Sequence, residues 1–288
     1  MRTYLLASLL LACALPATAQ TNPEPLHIER TRFLHWAYQD LGAIGSEIAT
    51  PRFAAYAGGA AAFTLGTAWL DDDGVRQAQS LYGKDDTYQE VLLFLDDAGG
   101  PPMTQITLGL AGASLLIPDT KFQDAAMTSL QTLIYAGLTG YALKGIIGRA
   151  RPEDGPRDPE TNELLDLADP YAFFETTGKN PFGDGNSSYP SGHAISSFGI
   201  ITVWASYYPH PLTYALYAIP TGAVLNRMSA NKHWPTDIVV GAVIGIGTAR
   251  FLVNRHKAIQ RGDLAGNGDP SGWDFDMAPT SARLTYTF

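Results

Sequence analysis

At 288 residues the chain is long enough for one large domain or two small ones, and with 45% hydrophobic residues it can bury a sizeable core. Its 19 basic and 28 acidic residues give a net charge of −9, which argues against nucleic acid as a partner, because phosphate-backbone affinity comes from clustered Lys and Arg. The mean hydropathy of −0.04 is low for a chain made mainly of membrane spans, although charged residues are only 16%, below the usual share of about 25%.

Residues 1–19 read as an export signal. Arg2 is the positive start, residues 4–15 are apolar, and Ala17-Thr18-Ala19 is a small-x-small cleavage site. The apolar run is short for a membrane span. Cys13, the one cysteine, lies inside this leader, so the mature chain has no thiol, disulfide or cysteine metal site. Lipoprotein processing at Cys13 is the alternative. Residues 20–50 hold an amphipathic segment over 28–41, with Phe33, Trp36, Ala37 and Leu41 on one helical stripe.

Apolar segments follow near 53–70, 104–117, 124–148, 192–208, 212–228 and 234–254, with little period-two patterning between them. The fold class is therefore all-α, a bundle of about six helices over residues 51–258. Small residues recur at helix-packing spacing, as in Gly241 with Gly245, and Gly58/Gly59 with Ala62 and Gly66. The acidic clusters at 71–73, 85–86 and 96–97 lack the ligand offsets of a calcium loop and read as a solvated face. Between Pro152 and Pro190 runs a long connection rich in Pro, Gly, Asp and Asn. Its Tyr171, Phe173, Phe174 and Phe182 either line an acyl or isoprenoid site or form a small core under the loop. The tail, 259–288, is irregular or β-like and ends in an alternating stretch, Arg283 to Phe288, that reads as a strand. That strand resembles the last strand of outer-membrane barrels, but one strand cannot make a barrel.

Three segments carry chemistry. Lys144 stands seven residues before Arg151-Pro152. Seven residues are two helical turns less about 20°, so both cations can share a face near a helix end set by the proline. Basic residues flanking an apolar helix are the bland alternative. Pro190-Ser191-Gly192-His193 precedes an apolar run. Ser191 is a natural N-cap, free amides at a helix start bind anions, and Gly192 admits a ligand close to the backbone. Arg227, His233 and Asp237 form the third segment. His233 and Asp237 are one helical turn apart, so the carboxylate can accept a hydrogen bond from Nδ1–H and leave Nε2 free as a nucleophile. A purely structural His–Asp pair is the alternative. Zinc fits poorly, because the histidines lack close ligand spacing and no cysteine is at hand.

Together these segments resemble the signature of the type 2 phosphatidic acid phosphatase and vanadium haloperoxidase superfamily, over roughly residues 53–254. The resemblance implies a histidine-nucleophile phosphatase without metal or other cofactor. In it His233 attacks phosphorus, Asp237 orients His233, and His193 protonates the leaving oxygen. Lys144, Arg151, Ser191, Gly192 and Arg227 hold the phosphoryl oxygens. One departure stands out: Asn226 occupies the position before Arg227 where the family usually has Ser.

The implied partner is a phosphorylated substrate, of lipid type, in a protein exported to the bacterial envelope and associated with the membrane, with its site facing the periplasm. A phosphatase of soluble phosphomonoesters, a vanadium-dependent haloperoxidase and a non-catalytic envelope protein are the rival readings. A cleaved leader followed by six full spans would put the site on the cytoplasmic side. The leader and a fully spanning bundle therefore conflict.

Overall fold

The computed structural model describes residues 32–83, 85–176, 187–261 and two strands, 272–278 and 281–287. The export signal, Cys13, Phe182 and Phe288 lie outside the described residues.

The first described helix, α1 (Arg32–Ile48), docks on the bundle through Phe33 and Trp36. Leu41, expected on the same stripe, is 53% exposed. The position that turns inward is Asp40, which is wholly buried. Its carboxylate accepts from Arg255 Nε and pairs with His256 Nε2, each at 2.8 Å. Trp36 stacks on the His256 ring. A buried carboxylate is tolerated here because both its oxygens are paired.

Helix α2 (Pro51–Thr67) starts with Thr50 as cap, its side chain accepting from Phe53 N. Gly58, Gly59 and Gly66 face open space, so they are not a helix-packing stripe. A short 3-10 turn, Ala68–Leu70, leads to α3 (Asp71–Tyr82) and α4 (Asp86–Gly99). These two helices replace the solvated connection expected for residues 71–97. Asp85 caps α4 by accepting from Thr87 N and Tyr88 N. Val75, Ala78 and Leu92 are their buried anchors, and Asp71 and Asp96 also turn inward.

Helix α5 (Pro101–Ser114) and helix α6 (Thr120–Ile147) pack together. Gly148 ends α6 in the left-handed conformation (φ 55°), donating to Lys144 O. The helix thus stops before Arg151. Lys144 and Arg151 meet across a turn, not along one helix face.

The centre of the fold is α7 (Gly192–Tyr207), apolar nearly all round, with Ile200, Ile201 and Trp204 buried. After it come α8 (Pro211–Ala215), α9 (Ala218–Ser229) and α10 (Pro235–Arg261). Helix α10 crosses α7 at glycines. A Cβ on Gly245 would sit 2.2 Å from Ile195 O, and one on Gly241 2.6 Å from Ser191 O. This close approach matches the spacing read for that pair. Among the described residues α10 is the one helix long and apolar enough to cross a membrane, and half of that stretch is buried in the protein.

The tail contains an antiparallel hairpin of β1 (Gly272–Ala278) and β2 (Ser281–Thr287), in register from Gly272 opposite Thr287 to Ala278 opposite Ser281. The strand expected near the C-terminus therefore has a partner in the chain.

Candidate active site

Every side chain singled out in the three segments gathers at one end of α6, α7, α9 and α10. Ser191 is the α7 cap, with Oγ accepting from Ala194 N at 3.4 Å. The face beside the Gly192 Cα is open. Lys144, in the last turn of α6, is buried and donates from Nζ to Ser187 O at 2.5 Å. Burial, and then Arg151, push its pKa down to about 8.

The turn between α9 and α10 delivers His233. Asn231 takes a left-handed conformation (φ 59°), and its side chain accepts from Gln79 on α3. Lys232 N donates to Arg227 O at 2.9 Å, while Lys232 O accepts from Arg151 NH1 at 3.2 Å. The first and third segments are thus tied through one residue. Trp234 is fully buried, with its indole donating to Ala150 O.

His233 is 4% exposed. Its Nδ1 faces Ser188 Oγ at 3.4 Å and Asp237 Oδ2 at 3.8 Å. The second distance is an ion-pair separation, not a hydrogen bond. Ser188 bridges the two, since its hydroxyl also donates to Asp237 Oδ2. Trp234 N donates to the same oxygen at 2.8 Å. Nε2 is therefore the nitrogen left for bond formation. Burial, and secondarily Lys144 and Arg151, lower the His233 pKa to about 3 against the opposing pull of Asp237. The imidazole is neutral near pH 7.

Asp237 is wholly buried. Burial works to raise its pKa, but Arg149, then His233 and Ser188, hold it below the ordinary carboxylate value. Arg149 is the residue the sequence reading missed. Its side chain is fully buried and donates to Asp237 Oδ1 (2.6 Å), Thr236 Oγ1 (2.7 Å), Asp71 Oδ2 (2.7 Å) and Pro170 O (3.0 Å). Its guanidinium lies over the rings of Phe173 and Trp234. Phe173 thus packs on a cation, while Tyr171 and Phe174 are exposed. Asp71 completes the cluster by accepting from Thr236 N and Oγ1. Burial outweighs these partners and raises its pKa.

His193 sits in the first turn of α7, facing Asp96 of α4. Nε2 is 3.8 Å from Asp96 Oδ1. Asp96 Oδ2 accepts from Asn226 Nδ2 at 2.9 Å and lies 3.5 Å from Arg227 NH1. Burial, and then Arg227, lower the His193 pKa to about 4, with Asp96 opposing and Arg151 and Lys144 adding to the fall. Lys144, Arg151 and Arg227 are all near enough to bias one histidine. The arrangement offers converging cations, a helix start with amides, one buried neutral imidazole and one more open imidazole beside a carboxylate. Such a set suits holding and transferring a phosphoryl group.

Comparison with known proteins found similar sequences and structures among phosphatases. Among curated proteins, a lipid A 1-phosphatase of Rhizobium johnstonii is 27% identical over 157 residues, covering 54% of this chain and 54% of that protein. Another, of Porphyromonas gingivalis, is 32% identical over 69 residues, 23% of this chain and 16% of that one. The chain thus spans about half the length of the first relative and a smaller part of the second. Among solved structures, Aquifex aeolicus LpxE aligns at TM-score 0.43 with 16% identity over 64% of this chain and 95% of its own. A PAP2-type phosphatidylglycerolphosphate phosphatase of Bacillus subtilis aligns at 0.48 with 16% identity, over 80% of this chain and 94% of its own. The PAP2 superfamily model matches residues 125–261, starting later than the 53–254 span of the resemblance and including every site residue from Lys144 to Asp237. Through that segment the chain is similar to the PAP2 superfamily.

Proposed function

We propose that this protein is a metal-independent phosphatase that hydrolyses a phosphomonoester or pyrophosphate of a lipid through a phosphohistidine on His233. The observation that carries the reading is the pair of unequal histidines. His233 is buried, neutral and oriented through Nδ1 by Ser188 and Asp237, whereas His193 is more open and lies beside a carboxylate. One is suited to attack and the other to carry a proton.

Lys144, Arg151, Arg227 and the amides at the start of α7 bind the phosphoryl oxygens. Arg227 Nε is a buried donor with no acceptor among the described residues, which suits a group completed by substrate. The lone pair of His233 Nε2 forms a bond to phosphorus as the bond from phosphorus to the leaving oxygen breaks. Protonated His193 gives its proton to that oxygen, releasing the alcohol or phosphate. Water then attacks the phosphohistidine, His193 takes a water proton, and the P–N bond breaks to give inorganic phosphate. Charge is spread over the phosphoryl oxygens in both steps, where fixed cations stabilise it most.

The lipid class draws on two supports. The curated relatives are lipid A 1-phosphatases by name. Leu65, Trp69, Tyr171 and Phe174 are exposed apolar or aromatic residues, with Tyr171 OH donating to Leu65 O across the two segments. Such residues suit a membrane-associated site. The test is phosphate release in EDTA from a lipid phosphomonoester, a prenyl pyrophosphate and p-nitrophenyl phosphate, for wild type and His233→Ala. Lipid-selective release that persists in EDTA and is absent in the variant supports the reading. A preference for p-nitrophenyl phosphate in the presence of detergent moves it to soluble esters. Halide oxidation with added vanadate and no phosphate release moves it to a haloperoxidase.

A further inference from the structure

The surroundings of His193 have features that phosphate binding does not explain. Asp96 and Gly100 stand one helical turn apart and both flank the Nε2 edge of the ring. A Cβ on Gly100 would come within 3.1 Å of Nε2. Asp96 Oδ1 is buried with no hydrogen-bond partner among the described residues, and His193 Nε2 faces it at an ion-pair separation of 3.8 Å. The other oxygen, Oδ2, is fixed by the amide of Asn226 at 2.9 Å. Asn226 is the residue that departs from the family's usual Ser, and a serine side chain is too short to make that bond from the same backbone position.

We propose that Asp96, held by Asn226, is the positioning residue for His193. It accepts the Nε2 proton, so the ring exchanges protons with substrate and water through Nδ1. The inference rests on the phosphatase reading for its catalytic consequence, but the placement of Asp96 beside Nε2 stands on geometry alone. In the charged ring both nitrogens carry protons. Nε2–H remains on the Asp96 side while Nδ1–H passes to the leaving oxygen. The resulting neutral ring is the Nε2–H tautomer, whose Nδ1 lone pair then takes the water proton. Among the described residues, Asp96 on α4 is the anion that favours the charged ring. Arg227 on α9, Arg151 on the loop and Lys144 on α6 all oppose its protonation.

Asp96→Asn would reverse this preference. The Asn226 amide donates, so the new amide must turn its oxygen to Asn226 and its NH₂ toward Nε2. That favours a bare Nε2 and disfavours the imidazolium. The first readout is kcat/KM of the full-length protein on two substrates that differ in leaving oxygen, an alkyl phosphomonoester and p-nitrophenyl phosphate. Expulsion of an alkoxide needs a proton, whereas p-nitrophenolate leaves without one. Asp96→Asn is expected to lower kcat/KM on the alkyl ester by ~10²-fold or more, the range of general-acid catalysis, with a much smaller loss on p-nitrophenyl phosphate. The alkaline limb of the alkyl-ester profile moves to lower pH. Asp96→Glu restores part of the rate, and Asn226→Ser shows the same selectivity in weaker form. Equal losses on both substrates, or an unmoved limb, would overturn the proposal.

The second readout is independent of turnover. Nitrogen NMR of the neutral His193 ring is expected to show Nε2–H in wild type and a shift toward Nδ1–H in Asp96→Asn. An Nδ1–H wild-type ring overturns the proposal even if the enzyme is active. If wild type hydrolyses neither substrate, the phosphatase reading fails while the NMR result still decides the role of Asp96.

Discussion

Replacing Arg149 by Met removes a guanidinium that touches no proposed substrate atom, yet it should damage both stability and activity. The side chain is fully buried, and its loss leaves Asp71 and Asp237, 1% and 0% exposed, without their shared cation. Breaking a buried pair by removing one partner costs about 3–5 kcal/mol, because the remaining charge has neither water nor partner. Against a total stability of about 5–15 kcal/mol this is a large share. At ~2–4 °C per kcal/mol, the melting temperature should fall by about 6–20 °C. The sign of the pH dependence is fixed. Arg149 holds the Asp237 pKa down, so its contribution is present above the ordinary carboxylate pKa of about 3.9 and is lost as pH falls. In the variant the orphaned carboxylates take up protons on acidification. The stability gap should therefore be widest near neutral pH and narrow toward about pH 4. Urea unfolding at several pH values measures it. A gap within about 0.5 kcal/mol at neutral pH, as for an ordinary surface change, would refute the reasoning. So would a large gap that does not vary with pH.

Asp237→Asn keeps the Arg149–Asp71 pair and should fold, but kcat should fall by up to ~10⁴-fold, as when the orienting carboxylate of a Ser-His-Asp triad is lost. A circular dichroism melt beside the rate assay separates the two effects. Lys144 is cationic below about 8, so its hold on phosphate is present below that pH and lost above it. In kcat/KM profiles on p-nitrophenyl phosphate, whose leaving group needs no proton from His193, the alkaline decline near that value should be missing in Lys144→Met, whose plateau is lower. Two glycine changes should have opposite signs in urea unfolding. Gly245→Ala forces a Cβ to 2.2 Å from Ile195 O and should cost about 1–3 kcal/mol by overpacking. Gly58→Ala meets open space in a helix and should stabilise by roughly 0.5–1 kcal/mol.

The reach of sequence reasoning follows from which interactions are local. Ser191 as a cap and the His233–Asp237 pair depend on spacings of three or four residues, which a helix start fixes by itself. The Gly241 and Gly245 contact was legible for the same reason, since small residues one turn apart form a face. Asp71 and Asp96 were not legible. Each sits in an acidic run, and which member turns inward depends on how α3 and α4 pack on α10 and α9. The helices themselves were hidden by those acidic residues, although Asp85 is a regular cap. Arg149 stands two residues before the recognised Arg151, and only the turn after Gly148 sends one inward to Asp237 and the other toward Lys232. Asn226 reads as a minor departure in the sequence because its partner, Asp96, lies 130 positions away.

The central claim is a covalent phosphohistidine, and rapid-quench trapping tests it most directly. Wild type and His233→Ala would be mixed with phosphate-labelled substrate in EDTA, denatured and digested. The account predicts a label on the peptide containing His233, stable in base and labile in acid, that is absent from the variant. Phosphate release by wild type with no protein-bound label at any quench time, or the same label in His233→Ala, would contradict it.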